Sequence, residues 1–435
     1  MAASRGLLVR GANEVVTLAG GLRRGATQGH VAALPASVNP VVACWDGLIV
    51  AVGPEAEVRA RLAGEGLDDA RFQILDADGG TVTPGLVDPH THLLFAGTRE
   101  SEWRLRQEGA GYLEILGAGG GILSTVVRTR AASQQELLAH GRRWLGEMLA
   151  HGVTTVEVKS GYGLDTATEL RLLEIAGRLA AEGPLEIVPT FLGAHAVPPE
   201  DRAAPDGTER YVRRVIDEQI PAVAKQGIAR YCDVFCERGV FSAEQSRRIL
   251  EAGIAAGLAP RLHADELAPS GGAELAAEIG AASADHLAAP SPEGIVALAK
   301  AAETGRPVVA TLLPATSLVL MKEHDAPART FIEQGVPVAL GTDFNPGTSP
   351  TPNLQLVLSL AVLRLKLTAS EALAAVTINA AHAVGLGATH GALEAGRVAD
   401  LVVWDVPSHA QLPYWLGANL VRAVVKRGSV VLDRS

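Results

Sequence analysis

The chain has 435 residues, of which 48% are hydrophobic and only 20% charged, so it can bury a large core and is too apolar for intrinsic disorder. Its 47 glycines and 24 prolines are spread without a short period, which excludes collagen and low-complexity linkers. A formal net charge of −10, with no run of Lys or Arg to track phosphates, argues against a nucleic-acid partner.

No stretch reaches about 18 uninterrupted apolar residues, so no membrane partner is expected. Arg10 breaks the short apolar run 6–9 too early for a secretory leader. Cys44, Cys232 and Cys236 cannot all pair, which points to a reducing, cytoplasmic compartment.

In chain order, residues 1–82 carry alternating segments at 7–18, 42–52 and 72–75 that resemble a β-meander. Residues 83–390 alternate β-rich runs with helical stretches, the pattern of a parallel sheet wrapped by helices. The runs fall at 86–92, 153–159, 186–193, 231–236, 260–264, 282–286, 307–313 and 337–343. Eight of them predict a closed, distorted (β/α)8 barrel in an α/β protein. Segments 133–151 and 166–182 have apolar residues at helical spacing and acidic first turns, as crossover helices require. The segment 96–133 is long for a βα connection and is expected to form a lid. Residues 391–435 hold further alternating segments at 400–404 and 420–432. Neither end has enough strands for a sheet of its own, so both should combine into one small β-sandwich domain.

An open, doubly wound sheet would bind its ligand through a glycine fingerprint. Gly117, Gly119, Gly120 and Gly121 come close, but position 122 is Ile, and no Gly-Lys-Ser/Thr loop exists.

The chemistry begins at Asp88-Pro89-His90-Thr91-His92, where residues two apart share a strand face and both imidazoles would enter the barrel. Other candidate ligands close other runs: His263 the fifth, His286 the sixth and Asp343 the eighth. Strand ends at one mouth are where barrel enzymes gather catalytic residues. Imidazole with carboxylate suits one zinc or iron ion, and a metal lowers the pKa of water from 15.7 to about 7.

The run 84–92, together with His263, His286 and Gly341-Thr342-Asp343, resembles the amidohydrolase superfamily. Five further segments resemble its imidazolonepropionase family: Phe95-Ala96-Gly97-Thr98-Arg99, Glu157-Val158-Lys159-Ser160-Gly161-Tyr162-Gly163, Phe191-Leu192-Gly193-Ala194-His195, His263-Ala264-Asp265-Glu266 and Asp343-Phe344-Asn345-Pro346-Gly347. The resemblance runs from about residue 40 to the C-terminus. It implies metal-dependent hydrolysis of a cyclic amide C–N bond, 4-imidazolone-5-propanoate and water giving N-formimidoyl-L-glutamate in histidine degradation. It also implies that His90, His92, His263 and Asp343 are the ligands. Arg99, Tyr112, Tyr162, His195, Glu266, Asn345, Gly347 and Thr348 match substrate-contacting positions, and Glu266 and His286 match those that activate water.

The residue types suit these roles. Arg99 can grip a propanoate with two parallel hydrogen bonds. His195, at a turn, is expected to donate to the ring carbonyl and stabilise its oxyanion. Glu266, three residues beyond His263, would work with His286 on the water, and either it or Asp343 would protonate the departing nitrogen.

Cys232 and Cys236 are expected to pack in the core, since no second pair completes a structural zinc site. Lys159 is expected to stand behind the ligands, not to bridge two metals as a carbamate, and His382 to pack in a late helix. An apolar patch on the exterior could make a homodimer. The alternatives are a deaminase of a purine or related ring with the same ligands, and a catalytically silent barrel, which predicts broken ligand positions.

Overall fold

The β-rich runs become eight parallel strands in the computed structural model, which describes residues 6–202 and 204–434. They are β1 (Leu86–Asp88), β2 (Val153–Lys159), β3 (Glu186–Ala194), β4 (Tyr231–Cys236), β5 (Ala259–Ala264), β6 (Ser283–His286), β7 (Val309–Leu312) and β8 (Val338–Leu340). Each pairs with its neighbour in sequence, from β1 round to β8.

Alternation decides what each strand presents. On β2, Val156 and Val158 join the apolar layer beneath the helices, while Glu157 and Lys159 point into the barrel. On β4 and β5 the same period sends Cys232, Val234, Cys236, Leu262 and Ala264 outward. Asp233 and His263 face inward and meet there. The three cysteines are buried and free, as packing residues.

The first and last strands are shorter than the sequence pattern implies. Pro89 lacks the N–H that would extend β1, and β8 stops before Gly341. Beyond these ends the two chains close the barrel by irregular contacts. The Asp343 and His92 N–H groups donate to the carbonyls of His90 and Phe344 at 3.0 and 2.9 Å. Thr342 donates from N and Oγ1 to the buried Asp88 carboxylate at 3.1 and 2.6 Å.

Helix Gln134–Ala150 starts at a reciprocal Ser133/Glu136 capping box, and helix Thr166–Glu182 at an Asp165 cap. The lid segment is not a bare loop. It folds into helices Glu100–Gln107, Tyr112–Gly117 and Ile122–Ala131. Buried Glu102 accepts from the Gly121 N–H, and Arg106 donates to the Gly347 carbonyl, which ties the segment to the loop after β8.

The ends of the chain build two sheets, one of four strands and one of six. The larger places Leu401–Trp404 antiparallel to Thr81–Pro84, so strands from both ends share it. The arrangement is not the simple meander expected at the N-terminus. Gly6–Arg10 runs parallel to Phe72–Asp76, and parallel neighbours need a crossover, which includes helix Glu55–Gly64. Leu7, Val9 and Val42 of the smaller sheet pack against Val82, Leu401 and Val403 of the larger. Among the described residues no helix is long and apolar enough to cross a membrane. His382 lies in helix Ile378–Ala383.

Trp404 couples the two parts of the molecule. Its ring is fully buried in the barrel's apolar layer, and its Nε1–H donates to Thr83 Oγ1 at 2.8 Å. Trp404→Ala should therefore cost about 3–5 kcal/mol in denaturant unfolding, whereas half-exposed Trp415→Ala should change stability by less than about 1 kcal/mol.

Candidate active site

Four side chains from three separate stretches converge at the C-terminal mouth of the barrel. His90 and His92 follow β1, His263 comes from β5 and Asp343 follows β8. His92 Nε2 and His263 Nε2 stand 3.2 Å apart, and Asp343 Oδ1 lies 3.3 Å from His92 Nε2 and 3.5 Å from His90 Nε2. Tetrahedral ligands at zinc distances of 2.0–2.1 Å are spaced about 3.3 Å apart, so the set has the dimensions of a metal cage.

The protons support the same conclusion. His90 Nδ1 donates to Asp285 Oδ2 at 2.6 Å and His263 Nδ1 to Asp233 Oδ1 at 3.1 Å, which leaves each Nε2 to face the centre. Thr316 Oγ1 donates to Asp343 Oδ2 at 2.6 Å, while the buried Oδ1 and His90 Nε2 have no hydrogen-bond partner. Burial and the positive charge of neighbouring groups hold His90 and His92 well below the usual histidine range, so both rings are neutral donors of electron pairs. Burial also opposes charge on His263, but the Asp233 carboxylate outweighs it and raises that ring. Residues of this cluster form three overlapping groups able to hold a metal, two of which draw in His286 or His195.

Strand alternation alone would turn His286 outward beside Ala284. Its left-handed backbone, φ 72°, breaks the alternation, and its Nε2 comes to 3.8 Å from Glu266 Oε2. Asp343, at φ 53°, leaves β8 in the same way. Such conformations cost about 1–3 kcal/mol each and are retained where the surrounding structure imposes them. Burial raises the Glu266 carboxyl, opposed by nearby Lys322, and lowers His286 to about 3.

These groups line a cavity with about 20 Å³ of room for the centre of a water molecule. Arg99, Tyr162, His195, Asn345 and Thr348 form other parts of its wall, and Ile122 and Phe235 add apolar surface. Arg99 is 97% buried, yet its Nε and Nη1 have no partner, and its Nη2 donates to Asn345 Oδ1 at 3.2 Å. A Cβ on Gly347 would lie 1.7 Å from Arg99 Nη2, so only glycine lets the guanidinium occupy this place. Asn345 is spent on its own loop, where Oδ1 also accepts from the N–H groups of Gly347 and Thr348 at 2.8 and 2.7 Å. Burial pushes the Tyr162 phenol up, so it remains a donor. Tyr112 begins helix Tyr112–Gly117, but its side chain lies outside the described residues.

His195 stands on the cavity wall, stacked on His92. Its Nδ1 donates to the Gly161 carbonyl at 2.9 Å, and burial keeps the ring neutral, so Nε2 offers a lone pair. In this state Nε2 accepts a proton-bearing group, and donation to a ring carbonyl would require the protonated ring.

Sequence reasoning missed Asp233, Asp285, Arg261 and Thr316. A signal existed for the two aspartates. Asp233 sits between Cys232 and Val234, and Asp285 follows Ala284, so a carboxylate alternating with apolar residues in a buried strand must point into the barrel. Lys159 stands behind the ligands as expected. Burial disfavours its charge, but Asp233 and Glu157 outweigh that and favour the ammonium, which ion-pairs with both carboxylates.

A model described as the amidohydrolase family matches residues 81–431. An imidazolonepropionase of Geobacillus kaustophilus (strain HTA426) is 52% identical over 429 residues, 99% of this chain and 98% of the relative. One from Symbiobacterium thermophilum is 51% identical over 428 residues, 98% of this chain and 97% of the relative. Among solved structures, 5-methylcytosine deaminase from Klebsiella pneumoniae aligns with TM-score 0.71 at 17% identity, over 99% of this chain and 98% of that one. An adenosine deaminase from Xanthomonas campestris with bound zinc aligns with TM-score 0.64 at 20% identity, over 98% and 93%. These two structures share the fold.

The cage predicts one tight divalent-ion site per chain. Competition with a chromophoric chelator should find a single zinc equivalent bound by the wild type and at least roughly 100-fold weaker binding by His263→Ala. Unchanged affinity in that variant would remove His263 from the ligand set.

Proposed function

The chain belongs to the amidohydrolase family and, within it, to the imidazolonepropionases, and on that premise we infer that it opens the ring of 4-imidazolone-5-propanoate with water to give N-formimidoyl-L-glutamate. The observation that carries this is the four-donor cage beneath a cavity that also holds a buried arginine with unpartnered nitrogens. His90, His92, His263 and Asp343 would hold one zinc or iron ion. Such an ion supplies hydroxide at neutral pH and a Lewis acid for the carbonyl.

The chain's own residues do the rest. Arg99, bedded on Gly347 and steadied by Asn345, takes the propanoate with its free Nε and Nη1. The Tyr162 hydroxyl is a further donor on the same wall. His195 Nε2 accepts a ring N–H and so turns the reacting carbonyl toward the cage. Glu266, close to His286 Nε2, removes the proton as the water oxygen bonds to the carbonyl carbon. As the C–N bond breaks, the same carboxyl returns that proton to the ring nitrogen. The oxygen stays in the new carboxylate of the product, and no other reagent is consumed. The side chains that line the cavity are buried, which strengthens each of these contacts.

Loss of imidazolonepropanoate, followed with and without a chelator, tests the assignment, and full turnover by thoroughly demetallated protein would overturn it. Release of ammonia from a purine panel, without ring opening, would favour the deaminase alternative. Arg99→Ala and Gly347→Ala should each raise KM about 10-fold or more with a smaller change in kcat, because the grip acts on ground and transition states alike. Glu266→Gln should lower kcat by about 10²–10⁴ and leave KM nearly unchanged. Because burial raises this carboxyl, the wild-type rate should fall on acidification at a pH above the ordinary glutamate range, a limb the glutamine variant lacks.

A further inference from the structure

We propose that Lys159 is a positioning residue for this hydrolysis, its single ammonium anchoring three carboxylates that aim His90, His92 and His263 at the metal. The proposal rests on the metal-hydrolase function given above. Lys159 Nζ lies 2.7 Å from Asp233 Oδ2, 2.8 Å from Glu157 Oε1 and 3.7 Å from Asp285 Oδ2, and all four side chains are fully buried. Each carboxylate continues to a ligand. Asp233 Oδ1 accepts from His263 Nδ1 at 3.1 Å and from its backbone N–H at 3.2 Å. Asp285 Oδ2 accepts from His90 Nδ1 at 2.6 Å.

Glu157 reaches the third ring through the backbone. Its Oε2 accepts from the Thr91 N–H at 3.2 Å, and its carbonyl accepts from Thr91 Oγ1 at 2.6 Å. The Lys159 N–H donates to the Thr91 carbonyl at 3.0 Å. Thr91 lies between His90 and His92, so this clamp sets the entry of both rings into the mouth.

Arg261 is a second cation of the floor. Its Nη1 donates to the Ala383 carbonyl at 2.9 Å, its Nη2 to the Pro89 carbonyl and to Asp285 at 2.7 and 3.0 Å, and its Nε has no hydrogen-bond partner. With Lys159 and Arg261 against Glu157, Asp233 and Asp285, the buried floor carries a net charge of −1. Removal of the ammonium leaves carboxylates facing one another across a dry interior, and they relax by swinging the imidazoles they hold.

The test separates anchoring from mere charge balance. The pair Lys159→Met with Glu157→Gln removes one charge of each sign and keeps the floor at −1. We expect this variant to bind zinc roughly 10–100-fold more weakly than wild type in chelator competition. We also expect an altered visible spectrum of the cobalt(II) form and a lower kcat at saturating metal. Wild-type zinc affinity and cobalt spectrum in the folded pair would overturn the proposal. If the pair does not fold, Asp233→Asn, Asp285→Asn and their double variant answer the question with Lys159 in place. A shared anchor makes their effects on zinc affinity depart from simple multiplication by more than about threefold, and independent effects would overturn it. Absence of zinc binding by the wild type would instead refute the hydrolase function, so the two failures are distinguishable.

Discussion

The site depends on imidazole nitrogens and a carboxylate oxygen held face to face at the mouth of the barrel. His92 Nε2, His263 Nε2 and Asp343 Oδ1 stand 3.2 and 3.3 Å apart in the dry mouth of the barrel, and the protons of His90 and His263 are drawn to the far sides of their rings by Asp285 and Asp233. A divalent ion at the centre would draw these atoms into coordination. Much of the buried polar structure keeps these atoms convergent: the Thr316 hydroxyl on Asp343, the Asp88–Thr342 seam, and the left-handed backbone at His286 and Asp343.

That arrangement divides the strands into two chemistries. Their outer faces carry the apolar layer on which the helices rest, and their inner faces carry two cations and three carboxylates that bulk water does not reach. Buried charges of this kind add little net stability, because desolvation offsets most of the attraction. They are better understood as fixing geometry. Above the floor, the helical segment tied to Gly347 by Arg106 covers the cavity and supplies Arg99 and Ile122 to its wall. One insertion after β1 therefore contributes both a charged and an apolar part of the cavity wall.

Much of this was legible in the chain. Strand β2, strand β4 and helix Thr166–Glu182 fall where periodicity and capping place them. The His-x-His pair and the histidines closing β5 and β6 stood out because barrel strands end at a common mouth. Other features were hidden for definite reasons. The early end of β1 follows from a missing N–H, whereas hydrophobic pattern carries straight through Pro89. The sandwich strands show alternation without showing partners, so the parallel pairing of Gly6–Arg10 with Phe72–Asp76 could not be read locally. The acceptor state of His195 depends on the carbonyl of Gly161, 34 residues away. Asn345 lines the cavity, and only the tertiary structure shows that its amide also organises the loop that seats Arg99.

By itself, then, the sequence determined the barrel and the histidines and carboxylate at its strand ends, because these follow from local period and residue chemistry. Tertiary structure alone decided which protons sit on which nitrogens, how closely the four donors approach, and that one lysine joins the supports of three histidines. Those properties arise between residues far apart in the chain, where distance and burial set the electrostatics and no local pattern records them.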